Sequence, residues 1–162
     1  MPIRPATEAD AAAITAIYNE GIDDRVATFE TRPRETHEVA AWLSGGLPLL
    51  VEDEGGAILG FARVSSYSDR CVYQGVGEHG VYVARAARGR GVGRRLLDAL
   101  AAASEQAGFH KLTSRVFADN AASRAVHIAA GFTEVGIQRR HGRLDGEWKD
   151  CVLVERLLGD AG

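Results

Sequence analysis

The stretch RGRGVGRRLL, residues 88–97, decides the fold of this chain and the class of ligand it binds. Its glycines alternate with arginines, it follows a strand-like segment at residues 80–84, and it opens a helix-like pattern at Val92. At such a junction the backbone N–H groups and the helix dipole create an anion site, and arginines add charge-assisted hydrogen bonds. The stretch therefore predicts a binding site for a strongly anionic ligand.

Three known anion-binding patterns can be compared with this stretch by their spacing. A dinucleotide fingerprint that begins at Gly89 needs a glycine where the chain has Arg94, and a P-loop needs a Gly-Lys-Ser/Thr sequence that the chain lacks. A glycine–arginine segment that binds nucleic acid would be repeated and disordered, whereas this one occurs once within a folded pattern. The spacing that remains is R-x-x-G-x-G, formed by Arg88, Gly91 and Gly93.

Length and composition predict one globular domain over residues 1–162. A chain of 162 residues is long enough for a full-sized core, and 46% hydrophobic with 25% charged residues is typical of a soluble protein. The formal net charge of −3 argues against a general nucleic-acid binder, so we expect the arginines of the quoted stretch to act locally.

Cysteine spacing and the apolar runs narrow the class of protein further. Cys71 and Cys151 form no CxxC pair, so the chain has neither a metal-ligand pattern nor a disulfide framework, and we expect two free thiols. The first ten residues contain no apolar core of a secretory signal, and no apolar run approaches the ~18 residues of a membrane helix. We expect a cytoplasmic protein with no membrane or nucleic-acid partner.

Hydrophobic spacing and turn residues predict elements in the order βααβββαβαββ. Helices are expected at residues 8–22, 35–44, 92–107 and 121–130, and strands at residues 3–4, 49–51, 57–65, 80–84, 112–117, 132–140 and 147–158. Residues 66–77 are predicted as a loop. Thr7 and Asn120 are candidate helix N-caps, Gly108 is a candidate C-cap, and residues 54–56 form a candidate hairpin turn. Helices alternate with strands only in part, which indicates an α/β fold with a mixed sheet.

A second motif extends the interpretation of the first. In NAASRAVHIAAGF, residues 120–132, an asparagine after a strand opens a helix that ends in Gly-Phe. Together with R-x-x-G-x-G and the element order, this motif resembles the GCN5-related N-acetyltransferase (GNAT) superfamily over nearly the whole chain. Segments IYNEGI (17–22), ATFETRP (27–33), GEHGVYV (77–83) and RLDGEWKDCVLVERLL (143–158) resemble, within it, the phosphinothricin, arsinothricin and methionine sulfoximine N-acetyltransferases.

The resemblance implies a fold and a co-substrate, acetyl-CoA. The fold would be a central mixed, mostly antiparallel sheet flanked by helices, with acetyl-CoA in the splayed cleft between the fourth and fifth strands. Main-chain groups of Val81, Tyr82 and Val83 would pair with the pantetheine arm, and Asn120 would hydrogen-bond the pantetheine or the diphosphate. The pyrophosphate would contact Arg88, Gly89, Arg90, Gly91, Val92, Gly93 and Arg94. A homodimer follows from the resemblance alone, and no metal is implied.

Catalysis requires a base, because an alkylamine with a pKa near 10 is mostly protonated at neutral pH. The resemblance places the family's catalytic glutamate at Glu78, just before the predicted strand; the alternative is a solvated acid at a strand start. His79 is a competitor, but adjacent strand residues point to opposite faces, so we choose Glu78. His127 occupies the place where many relatives have a tyrosine that protonates the leaving thiolate. It is a catalytic acid or a partly buried helix histidine, and both interpretations stay open.

The acceptor implied by the resemblance is the α-amine of a glutamate-like analogue, such as phosphinothricin, arsinothricin or methionine sulfoximine. Resistance to such an antibiotic or herbicide would follow. Its anionic groups require cations or hydrogen-bond donors, and matching positions assign Phe29, Glu30, Arg70 and Tyr73 to the substrate. Further candidate cations are Arg63, Arg139 and Lys149. The alternatives are acetylation of a polyamine, another small amine or a protein N-terminus, and a non-catalytic acyl-CoA-binding module.

Overall fold

The computed structural model describes residues 2–161, which form seven strands and four α-helices in the predicted order. Their bounds are β1 Ile3–Pro5, α1 Ala11–Asp24, α2 Thr36–Leu43, β2 Leu49–Glu54, β3 Ala57–Ser66, β4 Val76–Val83, α3 Val92–Gln106, β5 Lys111–Phe117, α4 Ala121–Ala129, β6 Thr133–Leu144 and β7 Glu147–Leu157.

All seven strands form one sheet in the order β1-β2-β3-β4-β5-β7-β6. β4 and β5 pair in parallel, and the other neighbouring pairs are antiparallel. The predicted mixed, mostly antiparallel sheet is therefore confirmed. The parallel pair lies at the centre of the sheet.

The helices cover the two faces of the sheet with separate apolar clusters. On one face, Leu96, Leu97 and Leu100 of α3 are fully buried against the sheet; on the other, Ile14 of α1 packs with Phe61. At ~1.5–3 kcal/mol for each fully buried aliphatic side chain, this packing holds the layers together. The α1 cluster reaches β4 through Tyr82, whereas the α3 cluster continues through Leu112 of β5 to Val152 of β7, so β4 is packed on both faces and β5 on the α3 face.

Several predicted boundaries are confirmed by the backbone. Gly55 and Gly56 have φ of +62° and +95° in the turn between β2 and β3, which is the left-handed geometry of a tight hairpin. Gly108 has φ of +96° directly after α3, as expected for a C-cap glycine. Asn120 caps α4 by accepting the N–H of Ser123 at 3.1 Å.

The prediction of a loop over residues 66–77 is wrong at its end. Residues 71–73 form a short 3-10 turn, and β4 begins at Val76. The sequence VGEHG lacks a strand pattern of its own, but Gly77 pairs with Ser66 of β3 and with Leu112 of β5. Pairing on both sides overrides the weak local propensity of this segment. Glu78 therefore lies inside β4 rather than before it.

The two cysteines behave as expected. Cys71 is exposed, Cys151 is buried, and both are free thiols. Among the helices within residues 2–161, none is long and apolar enough to span a bilayer.

Candidate active site

The candidate site begins where β4 and β5 separate. Val76, Gly77 and Glu78 pair with Lys111, Leu112 and Thr113, and within the described chain no further β4–β5 pairs follow. The rest of β4, through Val83, stays paired to β3 on its other side. Its edge toward β5 therefore presents main-chain N–H and C=O groups without a strand partner, an arrangement that an extended ligand can satisfy.

The separation of the strands opens a cavity of about 390 Å³, here called the main cleft. Its lining includes Phe29, Glu78, His79, Val81, Tyr82, Arg115, Phe117, Asn120, Ser123 and His127. A second cavity of about 220 Å³, here called the side cavity, adjoins it. The side cavity is lined by Tyr67, Tyr73, Glu78, Lys111, Thr113, Arg115, Gln138 and Glu155, among others. Glu78 and Arg115 line both cavities.

The glycine–arginine loop lies at the Val83 end of β4. Gly89 and Gly91 have φ of +80° and +79°, a conformation that L residues rarely adopt, and Gly91 is the N-cap of α3. Arg88 Nε donates to the carbonyl of Val83 at 3.4 Å. The loop thus joins the unpaired edge of β4 to a helix N-terminus, which is the predicted setting of an anion site.

Two of the three arginines predicted for the pyrophosphate are ion-paired to the chain itself. Arg88 lies 2.7 Å from Asp24, and Arg90 lies 2.8 Å from Glu54. Arg94 is the freest of the three, because its nearest carboxylate, Asp98, is 4.0 Å away. All three side chains are largely exposed, so these ion pairs are weak and an incoming anion can replace them.

Glu78 and His79 point to opposite faces of β4, as strand geometry requires. Tyr82, on the same face as Glu78, stacks on Phe61 with ring centroids 5.3 Å apart and belongs to the α1 side of the sheet. Glu78 is half-buried on this side, where it faces both cavities. His79 is on the opposite side, where its ring packs on Phe132 at a centroid distance of 4.7 Å.

His79 and His127 form a buried pair of imidazoles. Their Nε2 atoms are 3.0 Å apart, and the two residues are 4% and 3% exposed. His127 Nδ1 lies 2.8 Å from the carbonyl of Ser123, which can only accept a hydrogen bond, so Nδ1 carries the proton. In the neutral pair, His79 Nε2 then donates to the lone pair of His127 Nε2.

Burial controls the charge of this pair. It lowers the pKa of His79 to about 3, with a further contribution from the charge of His127. Burial also lowers the pKa of His127. Both rings are therefore neutral at pH 7, and both nitrogens of His127 are engaged by the chain. The role of His127 as an acid stays a prediction. In this neutral arrangement its proton is on Nδ1 and is donated to the Ser123 carbonyl, while its Nε2 accepts from His79.

The structure separates the four predicted substrate residues. Phe29 lines the main cleft, where its ring packs on Phe117 at 4.8 Å, and Tyr73 lines the side cavity. Glu30 instead forms an ion pair with Arg34. Arg70 precedes the exposed 3-10 turn and is outside the lining of both cavities.

The three further candidate cations also lie outside the lining of both cavities. Arg63 stacks over Trp42 at 3.9 Å, and Lys149 forms an ion pair with Asp119 at 3.1 Å. Arg139 is exposed on β6 and lines neither cavity. The prediction missed Arg115 of β5, which lines both cavities and whose Nε donates to Gln138 Oε1 at 2.9 Å. Nothing local in LTSRVF marks this residue, because its position depends on the long-range register of β4 and β5.

Asn120 links the cleft to the loop after α1. Besides capping α4, its Nδ2 donates to the carbonyl of Val26 at 2.9 Å. This bond holds the segment that carries Phe29 over the cleft. Contact between Asn120 and pantetheine stays a prediction.

Comparison with known proteins shows that the chain belongs to the GNAT acetyltransferase family. The family model for the acetyltransferase (GNAT) family matches residues 14–132. Phosphinothricin N-acetyltransferase of Alcaligenes faecalis is 37% identical over 96% of this chain and 82% of its own length. The L-methionine sulfoximine/L-methionine sulfone acetyltransferase of Salmonella typhimurium strain LT2 is 33% identical over 99% of this chain and 96% of its own.

A solved structure has the same fold. A GNAT superfamily phosphinothricin acetyltransferase from Sinorhizobium meliloti, in complex with acetyl-CoA, superposes with a TM-score of 0.92. It is 32% identical and covers 99% of this chain and 91% of that one.

Proposed function

Because the chain belongs to the GNAT acetyltransferase family, we propose that it transfers the acetyl group of acetyl-CoA to the α-amine of a small amino-acid analogue. The acceptor class is the phosphinothricin and methionine sulfoximine type, after the relatives that match along the whole chain. The observation that carries the proposal is the position of Glu78. Its carboxylate faces the main cleft at the point where β4 leaves β5.

The residues around the cleft suit acetyl-CoA, which supplies the acetyl thioester when bound. The edge of β4 along Val81, Tyr82 and Val83, whose outward main-chain groups lack a strand partner, would hold the pantetheine arm, and an N–H of this edge would stabilise the developing oxyanion. Arg88, Arg94 and the N–H groups at the start of α3 would hold the pyrophosphate. Positive φ at Gly89 and Gly91 supports this role, since it turns the loop backbone onto the ligand.

Glu78 serves as the general base. The ammonium of the acceptor gives a proton to the Glu78 carboxylate, directly or through one water, and becomes a neutral amine. The amine nitrogen bonds to the acetyl carbon as the carbon–sulfur bond breaks, and the sulfur leaves with the electron pair. The nitrogen then loses a second proton, and the thiolate takes up one proton. The products are an N-acetyl amino acid and free CoA thiol, with one proton released overall.

The proposal is tested by an amine panel with acetyl-CoA, in which release of the free thiol is followed. The panel contains phosphinothricin, arsinothricin, methionine sulfoximine, glutamate, spermidine and a peptide with an N-terminal alanine. We expect the amino-acid analogues to have the highest kcat/KM. If spermidine or the peptide has the highest kcat/KM, the proposed acceptor class is wrong. If no amine releases the thiol, the chain is a non-catalytic acyl-CoA-binding module.

A homodimer is part of the same proposal. It is supported by apolar side chains that β6 and β7 leave exposed, namely Val135, Ile137 and Trp148 at 51%, 59% and 48% exposure. Large apolar side chains left exposed at this edge of the sheet are the area that a second copy of the chain would cover. Light scattering on a sizing column would measure a mass near twice that of the 17.3 kDa chain, whereas a monomer at all concentrations would contradict it.

A further inference from the structure

Arg115 occupies a position in the site that the proposed chemistry has not used. It belongs to β5, two residues beyond Thr113, which is the partner of Glu78 in the parallel register. Side chains two residues apart share a face, so Arg115 and Glu78 lie on the same side of the sheet. Their Cα atoms are separated by one strand spacing and two residues of rise, roughly 8 Å or more. This separation is suited to a small molecule that contacts both side chains.

The charges of the side cavity leave one cation free. Lys111 and Glu155 neutralise each other in an ion pair at 2.7 Å. Within residues 2–161, Arg115 is the one arginine that lines either cavity, and it has no carboxylate within ion-pairing distance. Glu78, on the other wall, is likewise without a cationic partner in the described chain. The two open charges have opposite signs and do not pair with each other.

Arg115 is exposed, and one hydrogen bond orients it. Its Nε donates to Gln138 Oε1 at 2.9 Å, which ties the guanidinium to β6 and leaves its two terminal nitrogens available as donors. Most other arginines around the cleft are used by the chain; Arg88, Arg90, Arg95 and Arg124 each form an ion pair with a carboxylate. A tethered guanidinium with a free edge is suited to binding two oxygens of one anionic group.

We propose that Arg115 determines the specificity of the acceptor site by binding an anionic side-chain head, while Glu78 receives the α-ammonium of the same molecule. The side cavity, with Tyr67 and Tyr73 on its wall, accommodates the head. This inference rests on the proposed function and divides its acceptor class. The chain favours an anionic phosphinate or arsinate head over the neutral head of methionine sulfone or sulfoximine.

Two acceptors of similar length separate these heads. Phosphinothricin carries a charged phosphinate, and methionine sulfone carries a neutral sulfone at the same position, with the same α-amine and α-carboxylate. In Arg115→Gln, kcat/KM for phosphinothricin should fall about 10- to 100-fold, the effect of one charge-assisted hydrogen-bonded contact. The value for methionine sulfone should change less than about threefold, because a neutral sulfone gains less from a positive charge than an anion does, and the glutamine amide still donates to it.

Matched variants control for general damage to the site. Arg139→Gln removes an exposed arginine from β6 outside both cavities and should leave both acceptors unchanged. Arg115→Lys keeps the charge but loses the fork, so it should recover part of the phosphinothricin activity. The KM for acetyl-CoA should stay constant in all three variants.

The remaining outcomes overturn the inference in distinguishable ways. Equal loss for both acceptors would assign Arg115 to the α-carboxylate instead of the head, and no loss for either would remove it from the site. If the wild-type enzyme acetylates neither, the proposed function fails, and titration calorimetry of phosphinothricin with CoA present then shows whether Arg115 binds the anion at all. Binding that is equally strong in wild type and Arg115→Gln would overturn the inference independently of turnover.

Discussion

Glu78 and His79 are neighbours in β4, yet they belong to two different environments. On the Glu78 side the sheet is open: two cavities meet there, and Glu78 and Arg115 keep charges that the chain does not neutralise. On the His79 side the rings of His79, His127 and Phe132 contact one another, and the two histidines form a packed border of the main cleft. One strand therefore presents an open face that carries an unpaired carboxylate and a packed face that carries buried rings.

The difference shows that polarity alone does not identify a catalytic residue. His79 has the side chain that most often acts as a base near pH 7, but burial keeps it neutral and its Nε2 is bonded to His127. Glu78 is half-buried and lines both cavities, so it is the group that we propose an incoming amine reaches. Access to the acceptor decides the role, and the alternation of the strand decides access.

The largest effect should come from removing the base on the open side. Glu78→Gln keeps the shape of the side chain and removes its basicity, so kcat should fall by roughly 10²–10⁴. The thermal shift with acetyl-CoA should stay at the wild-type value, since the change is confined to the acceptor side. Steady-state kinetics together with a melting curve measure both quantities. Normal turnover in Glu78→Gln, or a comparable kcat loss in a folded His79→Leu variant, would reverse the assignment of the two residues.

The next effect tests the far end of the cleft, where the glycine–arginine loop meets β4. Acetyl-CoA at 100 times its Kd should stabilise the wild-type protein by about 2.7 kcal/mol, and Gly91→Asp should abolish this shift. The new carboxylate would repel the pyrophosphate at the N-cap of α3. Gly55→Asp is the matched control, because Gly55 also has positive φ but lies in the hairpin between β2 and β3. A full shift in Gly91→Asp would remove the loop from the cofactor site.

The elements predicted from sequence are those specified by local signals. Leu96, Leu97 and Leu100 recur at helical spacing after Gly91, and Gly108 ends the helix, so α3 and its loop follow from a short segment. The hairpin turn at Gly55-Gly56 follows in the same way. The co-substrate acetyl-CoA was predictable because the R-x-x-G-x-G motif lies within this one segment.

The missed features depend on contacts between distant parts of the chain. β4 begins at Val76 because of its pairing with β3 and β5, and its own residues do not show a strand pattern. Arg115 enters the acceptor side only through the parallel register of β5 with β4. His79 and His127 are 48 residues apart, so their bond was visible in neither motif. Local periodicity cannot encode such distances.

The smallest expected effects concern the His79 side of β4, and they change the free energy of unfolding. The pKa of His79 in the folded protein, about 3, is below its ordinary value of 6.5, so the unfolded chain binds more protons between these values. The contribution of His79 to stability is therefore complete above pH 6.5 and declines as the pH falls toward 3. The unfolding free energy of the wild-type protein should fall between pH 7 and pH 5. In His79→Leu this fall should be smaller by about 2 kcal/mol, measured by urea denaturation at both pH values. Equal pH slopes would contradict a neutral buried His79.

The variant His127→Phe tests whether the second histidine of the pair has a structural or a catalytic role. The phenyl ring fills the space beside Phe132, but it removes the bond to His79 and the bond to the Ser123 carbonyl. The Ser123 carbonyl keeps its helical bond from the backbone N–H at position 127, but the buried Nε2 of His79 loses its partner. One unpaired buried group costs about 1–3 kcal/mol, so the variant should be measurably less stable. Because the Nδ1 proton of His127 is bound by the Ser123 carbonyl and its Nε2 is an acceptor, kcat per folded molecule should change less than about threefold, with the folded fraction taken from the melting curve. A loss of 10²-fold or more in kcat at full folding, with the alkaline limb of the pH–rate profile altered, would instead make His127 the acid that protonates the leaving thiolate. The two faces of β4 would then both carry chemistry.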